Sequence, residues 1–198
     1  MSLPNVDSPG AIDADAAYRN LRDGLAVRIA RFGVAPPALI GIHRGGAWIA
    51  ERLARDLHIA DLGFLDISFY RDDFSRAGLH PEVLPTAIQF PLDGRAVVLV
   101  DDVLYTGRTI RAAMNALFDF GRPERIELAV LFDRHAPADA PDTRELPVAP
   151  GVAGARIELA AGVNLRLRRD GNGFAASLAD ASTSAGTAAT TAPPAGMA

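Results

Sequence analysis

The stretch from Val97 to Thr109, which reads VVLVDDVLYTGRT, decides the fold class of this chain. Four apolar residues run directly into two adjacent carboxylates, and a short loop rich in hydroxyl and glycine residues follows. Apolar residues then recur with the period of an α-helix, at Ile110, Ala113, Met114 and Leu117. The pattern predicts a buried strand, a tight turn and the N-terminus of a helix.

The position of the two carboxylates suggests a ligand site. In open α/β sheets, ligands bind at the carboxyl ends of the strands, and a helix N-terminus attracts phosphate. Asp101 and Asp102 beside such a site suit sugar hydroxyls, a developing positive charge or Mg²⁺. An ordinary βα turn with solvated acids is the simpler alternative. A Walker-B-like strand is another, but it requires the run G-x-x-x-x-G-K followed by serine or threonine, which this sequence lacks.

Length and composition limit the remaining possibilities. With 198 residues, of which 49% are hydrophobic, the chain can bury one sizeable core, which predicts one main domain. No apolar run approaches the ~20 residues of a membrane span, and the N-terminus does not resemble a signal peptide. The sequence has no cysteine, which excludes disulfides and thiolate catalysis and fits the cytoplasm. A net charge of −4 means that any nucleic-acid binding depends on a local basic patch.

The order of the predicted elements indicates a mostly parallel sheet flanked by helices. Residues 1–12 are predicted to be a loose arm, residues 13–179 one domain, and the low-complexity residues 180–198 a disordered tail. Helices are predicted at 13–33, at 47–57 and after residue 109. Strands are predicted at 38–42, 63–69, 97–100, 125–132, 156–159, 163–168 and 174–178.

Two further motifs narrow the interpretation. The stretch VDDVLYTGRT resembles the phosphoribosyl pyrophosphate (PRPP) signature of type I phosphoribosyltransferases. The run DISFYRDDFS, from Asp66 to Ser75, together with Gly121-Arg122-Pro123, resembles the PyrR family over roughly residues 13–178. That family combines attenuation of pyrimidine operons with uracil phosphoribosyltransferase activity.

The resemblance implies a fold, ligands and partners. The fold would be the type I phosphoribosyltransferase α/β fold with a small hood and a mobile arm. The ligands would be PRPP, uracil and UMP, with Mg²⁺ that accompanies PRPP and is not held in a cage of protein ligands. The chain would form a homodimer in the cytoplasm, and pyrimidine-operon leader RNA would be a partner in regulation.

The resemblance also implies roles for the signature residues. Asp101 and Asp102 would hold the 2- and 3-hydroxyls of ribose and favour a transition state that resembles an oxocarbenium ion. Gly107 would allow the bare backbone to approach the 5-phosphate, and successive N–H groups would form an anion nest. Thr109 is also a candidate N-cap, and Arg108 a candidate solvated side chain. The full predicted phosphate-binding set is Val103, Leu104, Tyr105, Thr106, Gly107, Arg108 and Thr109.

Other predicted site residues come from separate segments. The pyrophosphate loop would comprise His43, Arg44, Gly45 and Gly46, although Gram-positive members of the family more often have K-T-R-G here. Arg71, followed by Asp72 and Asp73, would close over PRPP as a catalytic residue of the mobile arm and exclude water. Asp133 and Arg134 would bind the base. An insertion rich in alanine and proline then separates them from Arg144-Glu145-Leu146-Pro147.

Three functions are compatible with the sequence. The first is an enzyme that makes UMP and pyrophosphate from uracil and PRPP. The second is mainly an RNA-binding attenuator with vestigial catalysis. Its RNA patch would include Arg19 and Arg22 with Arg134 nearby, and Arg111 and Arg144 are further candidates. The third is a phosphoribosyltransferase for another base, such as a purine or orotate, which the run DISFYRDD disfavours.

Overall fold

The computed structural model describes residues 12–33, 35–67 and 85–180. The predicted mobile arm, with Arg71, Asp72 and Asp73, therefore lies outside the described residues. So do residues 1–11 of the predicted N-terminal arm and residues 181–198 of the predicted tail. No helix in the described ranges combines the length and the apolarity that crossing a bilayer requires.

A five-stranded parallel sheet forms the centre of the molecule, in the order β2-β1-β3-β4-β5. Its strands are β1 (Ala38–Ile42), β2 (Leu62–Leu65), β3 (Ala96–Leu104), β4 (Arg125–His135) and β5 (Val152–Glu158). Both faces of this sheet are covered, and the buried strands therefore read as continuous apolar runs. The predicted α/β fold is confirmed.

Three helices cover the sheet: α1 (Ala14–Ile29), α2 (Gly45–Asp56) and α3 (Arg108–Leu117). α1 and α2 pack in one apolar cluster with Val98 and Val100 of β3. α3 packs in a second cluster with Val97 and Leu99, on the opposite face of the same strand. Because successive side chains of β3 point to opposite faces of the sheet, this strand contributes to both apolar clusters.

Three boundaries of helices and strands differ from those predicted. α1 ends at Ile29 rather than at residue 33, and Gly33 follows with a φ of 102° that is unfavourable for other residues. α2 begins at Gly45 rather than at residue 47, although glycine is a poor helix former. The first turn of this helix lies directly against β3, where there is no room for a side chain. A Cβ on Gly46 would lie 2.9 Å from the Cα of Asp101. β3 continues through Asp101 and Asp102 to Leu104.

An antiparallel hairpin of β6 (Val163–Asp170) and β7 (Gly173–Asp180) forms a separate two-stranded sheet, here called the hood. Phe174 is buried, and its ring centroid lies 5.5 Å from that of Tyr18 on α1. The N–H of Phe174 donates to Asp15 at 3.3 Å, and Arg169 forms an ion pair with Glu51 of α2. These contacts anchor the hood to α1 and α2.

The strand order places a ligand crevice at a defined point. β1 pairs with β2 on one side and with β3 on the other. Parallel sheets of this kind bind ligands at the carboxyl ends of the two strands where the winding direction reverses. In this chain those ends lead into His43 after β1 and into Tyr105 after β3.

Candidate active site

A cavity of about 1120 Å³ lies at this carboxyl edge of the sheet. Its walls come from the segment between β1 and α2, the end of β3 with the following loop, the end of β4 and the hood. The volume is slightly above the usual range for small-molecule sites, roughly 300–1,000 Å³. The cavity can therefore hold a ligand with several chemical parts.

Asp101 and Asp102 both line this cavity although they are consecutive strand residues. Asp101 is 5% exposed and accepts the N–H of Asp102 at 2.9 Å. Asp102 is half-buried and accepts the N–H of Val103 at 3.0 Å. The backbone thus orients both carboxylates. Consecutive side chains of a strand point to opposite faces of the sheet. Both carboxylates reach the same cavity because the cavity extends over the edge of the sheet and borders both faces.

The first turn of α2 packs directly against Asp102. A Cβ on Gly45 would lie 2.7 Å from the Cβ of Asp102 and even closer to its carboxylate. His43, Arg44 and Gly45 line the cavity, and the His43–Arg44 peptide bond is cis. The predicted pyrophosphate loop is therefore partly the start of a helix, whose positive dipole end adjoins the carboxylates.

The loop between β3 and α3 forms the predicted phosphate-binding turn, and all residues from Val103 to Thr109 line the cavity. Gly107 occupies the N-cap position with a φ of 92°, a conformation that favours glycine. The N-cap role considered for Thr109 is wrong, because the helix already begins at Arg108. The hydroxyl of Thr106 accepts the N–H of Arg108 at 3.3 Å. A phosphate would meet the N–H groups of the first helical turn here.

The segment after the alanine- and proline-rich insertion packs on this turn. The N–H groups of Glu145 and Leu146 donate to the carbonyl of Thr106 at 3.1 and 3.2 Å. Glu145 also accepts from Arg108 at 2.6 Å, and Arg108 is therefore more than a solvated side chain. The R-E-L-P segment that follows the insertion thus packs against the predicted phosphate-binding turn.

The two predicted base-binding residues face different surroundings. Arg134 lines the cavity and is 4% exposed. Asp133 is absent from the described cavity wall, and its carboxylate contacts Arg144 at 2.6 Å and His135 at 2.9 Å. The alternation of side chains along β4 separates them. Of this pair, Arg134 lines the cavity and Asp133 does not.

Burial and position separate the five arginines considered for the RNA patch. Arg134 is in the cavity wall, and the Arg144 side chain is only 14% exposed because it pairs with Asp133. Arg111 lines the cavity as well. Arg19 is exposed on α1, and Arg22 forms an ion pair with Asp23 at 2.8 Å. Of the five candidates, Arg19 and Arg22 are therefore the ones left on a surface away from the cavity.

Sequence reasoning missed three parts of the cavity wall. They are Trp48 on α2, Asp66 and Ile67 after β2, and the hood, where residues 164–168 and Ser177 line the cavity. The alternation VNLRLR from Val163 to Arg168 predicts a strand with a polar and an apolar face. Nothing in that local pattern indicates that the strand borders a ligand cavity.

Comparison with known proteins gives a consistent result. The model of the phosphoribosyl transferase domain matches residues 11–149. The protein named Bifunctional protein PyrR from Nitrosococcus oceani is 46% identical over 166 residues, which cover 82% of this chain and 90% of that protein. The protein of the same name from Ralstonia nicotianae is 47% identical over 165 residues, covering 83% and 91%.

Solved structures show the same fold at lower sequence identity. A hypoxanthine phosphoribosyltransferase from Staphylococcus aureus aligns with a TM-score of 0.57 and 18% identity, covering 79% of this chain and 81% of that one. A purine phosphoribosyltransferase from Pyrococcus horikoshii aligns with a TM-score of 0.51 and 25% identity, covering 72% and 81%. These likenesses concern the architecture of the chain.

Proposed function

The chain belongs to the phosphoribosyltransferase family and, within it, to the PyrR proteins, and from this premise we propose that it makes UMP and pyrophosphate from uracil and PRPP. The membership confirms the resemblance carried by the signature and by the run DISFYRDDFS. The observation that supports the activity best is the arrangement at the end of β3. Two oriented carboxylates and a helix N-terminus face one cavity, separated by a single turn.

This arrangement suits displacement at C1 of a phosphorylated ribose. A nitrogen of uracil forms a bond to C1 as the bond from C1 to the pyrophosphate oxygen breaks and its electron pair leaves with pyrophosphate. Positive charge develops on the ribose ring. Asp101 and Asp102 hold the ring hydroxyls and stabilise that charge, because both are fixed in the cavity before the reaction begins.

The neighbouring segments supply the remaining contacts. Residues 103–109 hold the 5-phosphate at the start of α3, and His43, Arg44 and Gly45 hold pyrophosphate at the start of α2. Arg71 stays a proposed closing residue of the arm, outside the described residues. The described residues contain no group of three or more histidine and acidic side chains that could hold a metal ion. Mg²⁺ would therefore be held mainly by the oxygens of PRPP itself, and single carboxylates of the cavity wall, such as Asp101 or Asp102, could add a hard oxygen ligand.

The choice of base is tested by supplying PRPP and Mg²⁺ with one base at a time and separating the products. We expect UMP from uracil, at a rate that clearly exceeds product formation from cytosine, orotate, hypoxanthine or guanine. Faster consumption of orotate or of a purine would show that this base, and not uracil, is the substrate of the same type of reaction. No nucleotide from any base would overturn the proposed activity.

A regulatory function is favoured by the relatives, which are named bifunctional, and by the exposure of Arg19. We propose that a homodimer binds pyrimidine-operon leader RNA through Arg19 and Arg22 when UMP occupies the cavity. Arginine suits this role because its guanidinium binds phosphate with two parallel hydrogen bonds. The product site of the enzyme would then also be the effector site of the regulator.

Reversing the charge of both residues, Arg19→Glu with Arg22→Glu, should abolish binding to leader RNA and leave UMP synthesis unchanged. Both residues lie on α1 outside the cavity wall, which is why the two activities separate. Binding is measured by filter retention across a series of salt concentrations, since each neutralised phosphate adds about −0.7 to the log–log slope for single strands. A wild-type protein that binds no leader RNA at low salt with UMP present would leave only the enzyme.

A further inference from the structure

Arg134 is a buried cation without a counter-ion among the described residues. The residue is 4% exposed, and its Nε has no hydrogen-bond partner. One of its terminal nitrogens donates to the carbonyl of Ala160 at 3.2 Å. Its guanidinium carbon lies 3.8 Å from the centroid of the Tyr105 ring. Burial lowers the pKa of this guanidinium, but an arginine remains charged in proteins.

An acidic residue adjoins Arg134 in the sequence but does not pair with it. Asp133 precedes it in β4, but both oxygens of that carboxylate contact other groups, Arg144 and His135. Arg144 is therefore neutralised by Asp133, whereas Arg134 has no such partner among the residues that the structure describes. A buried charge that remains unpaired destabilises the fold, and such groups concentrate at functional sites. Because Arg134 lines the cavity, a ligand there is positioned to supply the missing negative charge.

We propose that Arg134 is a catalytic residue that stabilises the negative charge of the uracil ring as the ring loses its N1 proton. This inference rests on the proposed uracil phosphoribosyl transfer. The N1 proton passes to water, and the electron pair left on N1 forms the bond to C1 of ribose. The bond from C1 to the pyrophosphate oxygen breaks, and its electron pair leaves with pyrophosphate. The products are UMP and pyrophosphate.

The chemistry of the side chain matches the charge of the deprotonated ring. That charge is shared by N1 and the carbonyl oxygens O2 and O4, all of which accept hydrogen bonds. Arginine carries five N–H donors and no acceptor, and it therefore binds the ionised ring better than the neutral one. The contact with the Tyr105 ring and the hydrogen bond to the carbonyl of Ala160 restrict the movement of the guanidinium. Little reorganisation is then needed during the reaction.

The test compares Arg134→Met and Arg134→Lys with the wild type, using uracil and the more acidic 5-fluorouracil. We expect Arg134→Met to lower kcat/KM for uracil by about 10²-fold. The loss with 5-fluorouracil should be about tenfold smaller, because a base that ionises readily depends less on outside stabilisation. Arg134→Lys keeps a charge without the planar fork and should fall between the two.

Thermal unfolding separates catalysis from a structural role. Arg134→Met should leave the Tm equal to that of the wild type or raise it, because an unpaired buried charge is removed. The matched control is Arg156→Met on the adjacent strand β5, where the side chain is 51% exposed and outside the cavity wall. It should change neither the rates nor the preference between the two bases.

Two results would overturn the role of Arg134. One is an equal loss of kcat/KM for uracil and 5-fluorouracil. The other is a large drop in Tm, or failure to fold, for Arg134→Met, which would mean that the side chain mainly ties β4 to the segment at Ala160. A wild-type protein that makes no UMP from uracil would instead contradict the proposed function.

Discussion

Asp101→Asn and Asp102→Asn are each expected to lower the rate of uracil phosphoribosyl transfer by about 10²–10³-fold. Asparagine keeps the size of the side chain and a carbonyl oxygen that can accept the N–H of the following residue. The fold should therefore survive, and the main change is the loss of negative charge beside the ribose. Steady-state kinetics with PRPP, Mg²⁺ and uracil measure the loss, and circular dichroism against temperature checks the fold.

Asp119→Asn is a matched control for these variants. Asp119 follows α3, is exposed and lies outside the cavity wall. The same loss of one negative charge at that position should leave the rate unchanged. Wild-type turnover in both Asp101→Asn and Asp102→Asn would contradict their assignment to catalysis.

Gly45→Ala should lower the transfer rate by about 10²-fold, through displacement of Asp102. The added methyl would overlap the Asp102 carboxylate and lie 2.7 Å from its Cβ. Alanine otherwise suits the first turn of a helix better than glycine, and the cost therefore falls on the position of the carboxylate. The rate of UMP formation and the Tm are measured together.

A double-mutant cycle makes this second prediction specific. If Gly45→Ala acts through Asp102, combining it with Asp102→Asn should cost no more than the larger single loss. Gly24→Ala is the control, because a Cβ there meets only the side chain of Val152, at 2.9 Å, away from the cavity. Losses that add in full, or wild-type activity of Gly45→Ala, would contradict a link between the two residues.

The order of strands and helices could be predicted because the parallel sheet is covered on both faces. Its central strands are then long apolar runs, and the VVLV run of β3 is visible without any alignment. The start of α2 could not be predicted in the same way. A glycine pair normally indicates a loop, and only the close approach of α2 to β3 explains why Gly45 and Gly46 lie in a helix.

The candidate site likewise has one part that the sequence predicts and another part that it does not. The phosphate-binding turn and both carboxylates are continuous in sequence, and their local pattern predicts their chemistry. The roles of Asp133 and Arg134 depend on contacts that a local pattern does not contain. Arg144 pairs with Asp133 from eleven residues further on, and the hood contributes Arg166 and Arg168 from beyond the sheet. These contacts arise from tertiary packing.

The most direct test of the proposed activity is the amount of UMP and pyrophosphate formed from uracil and PRPP, with Mg²⁺, by the wild type and by Asp101→Asn combined with Asp102→Asn. The reaction proposed for this cavity predicts equal amounts of UMP and pyrophosphate from the wild type. It predicts almost none from the double variant at an unchanged Tm. Equal rates from the two proteins, or pyrophosphate without UMP, would contradict it.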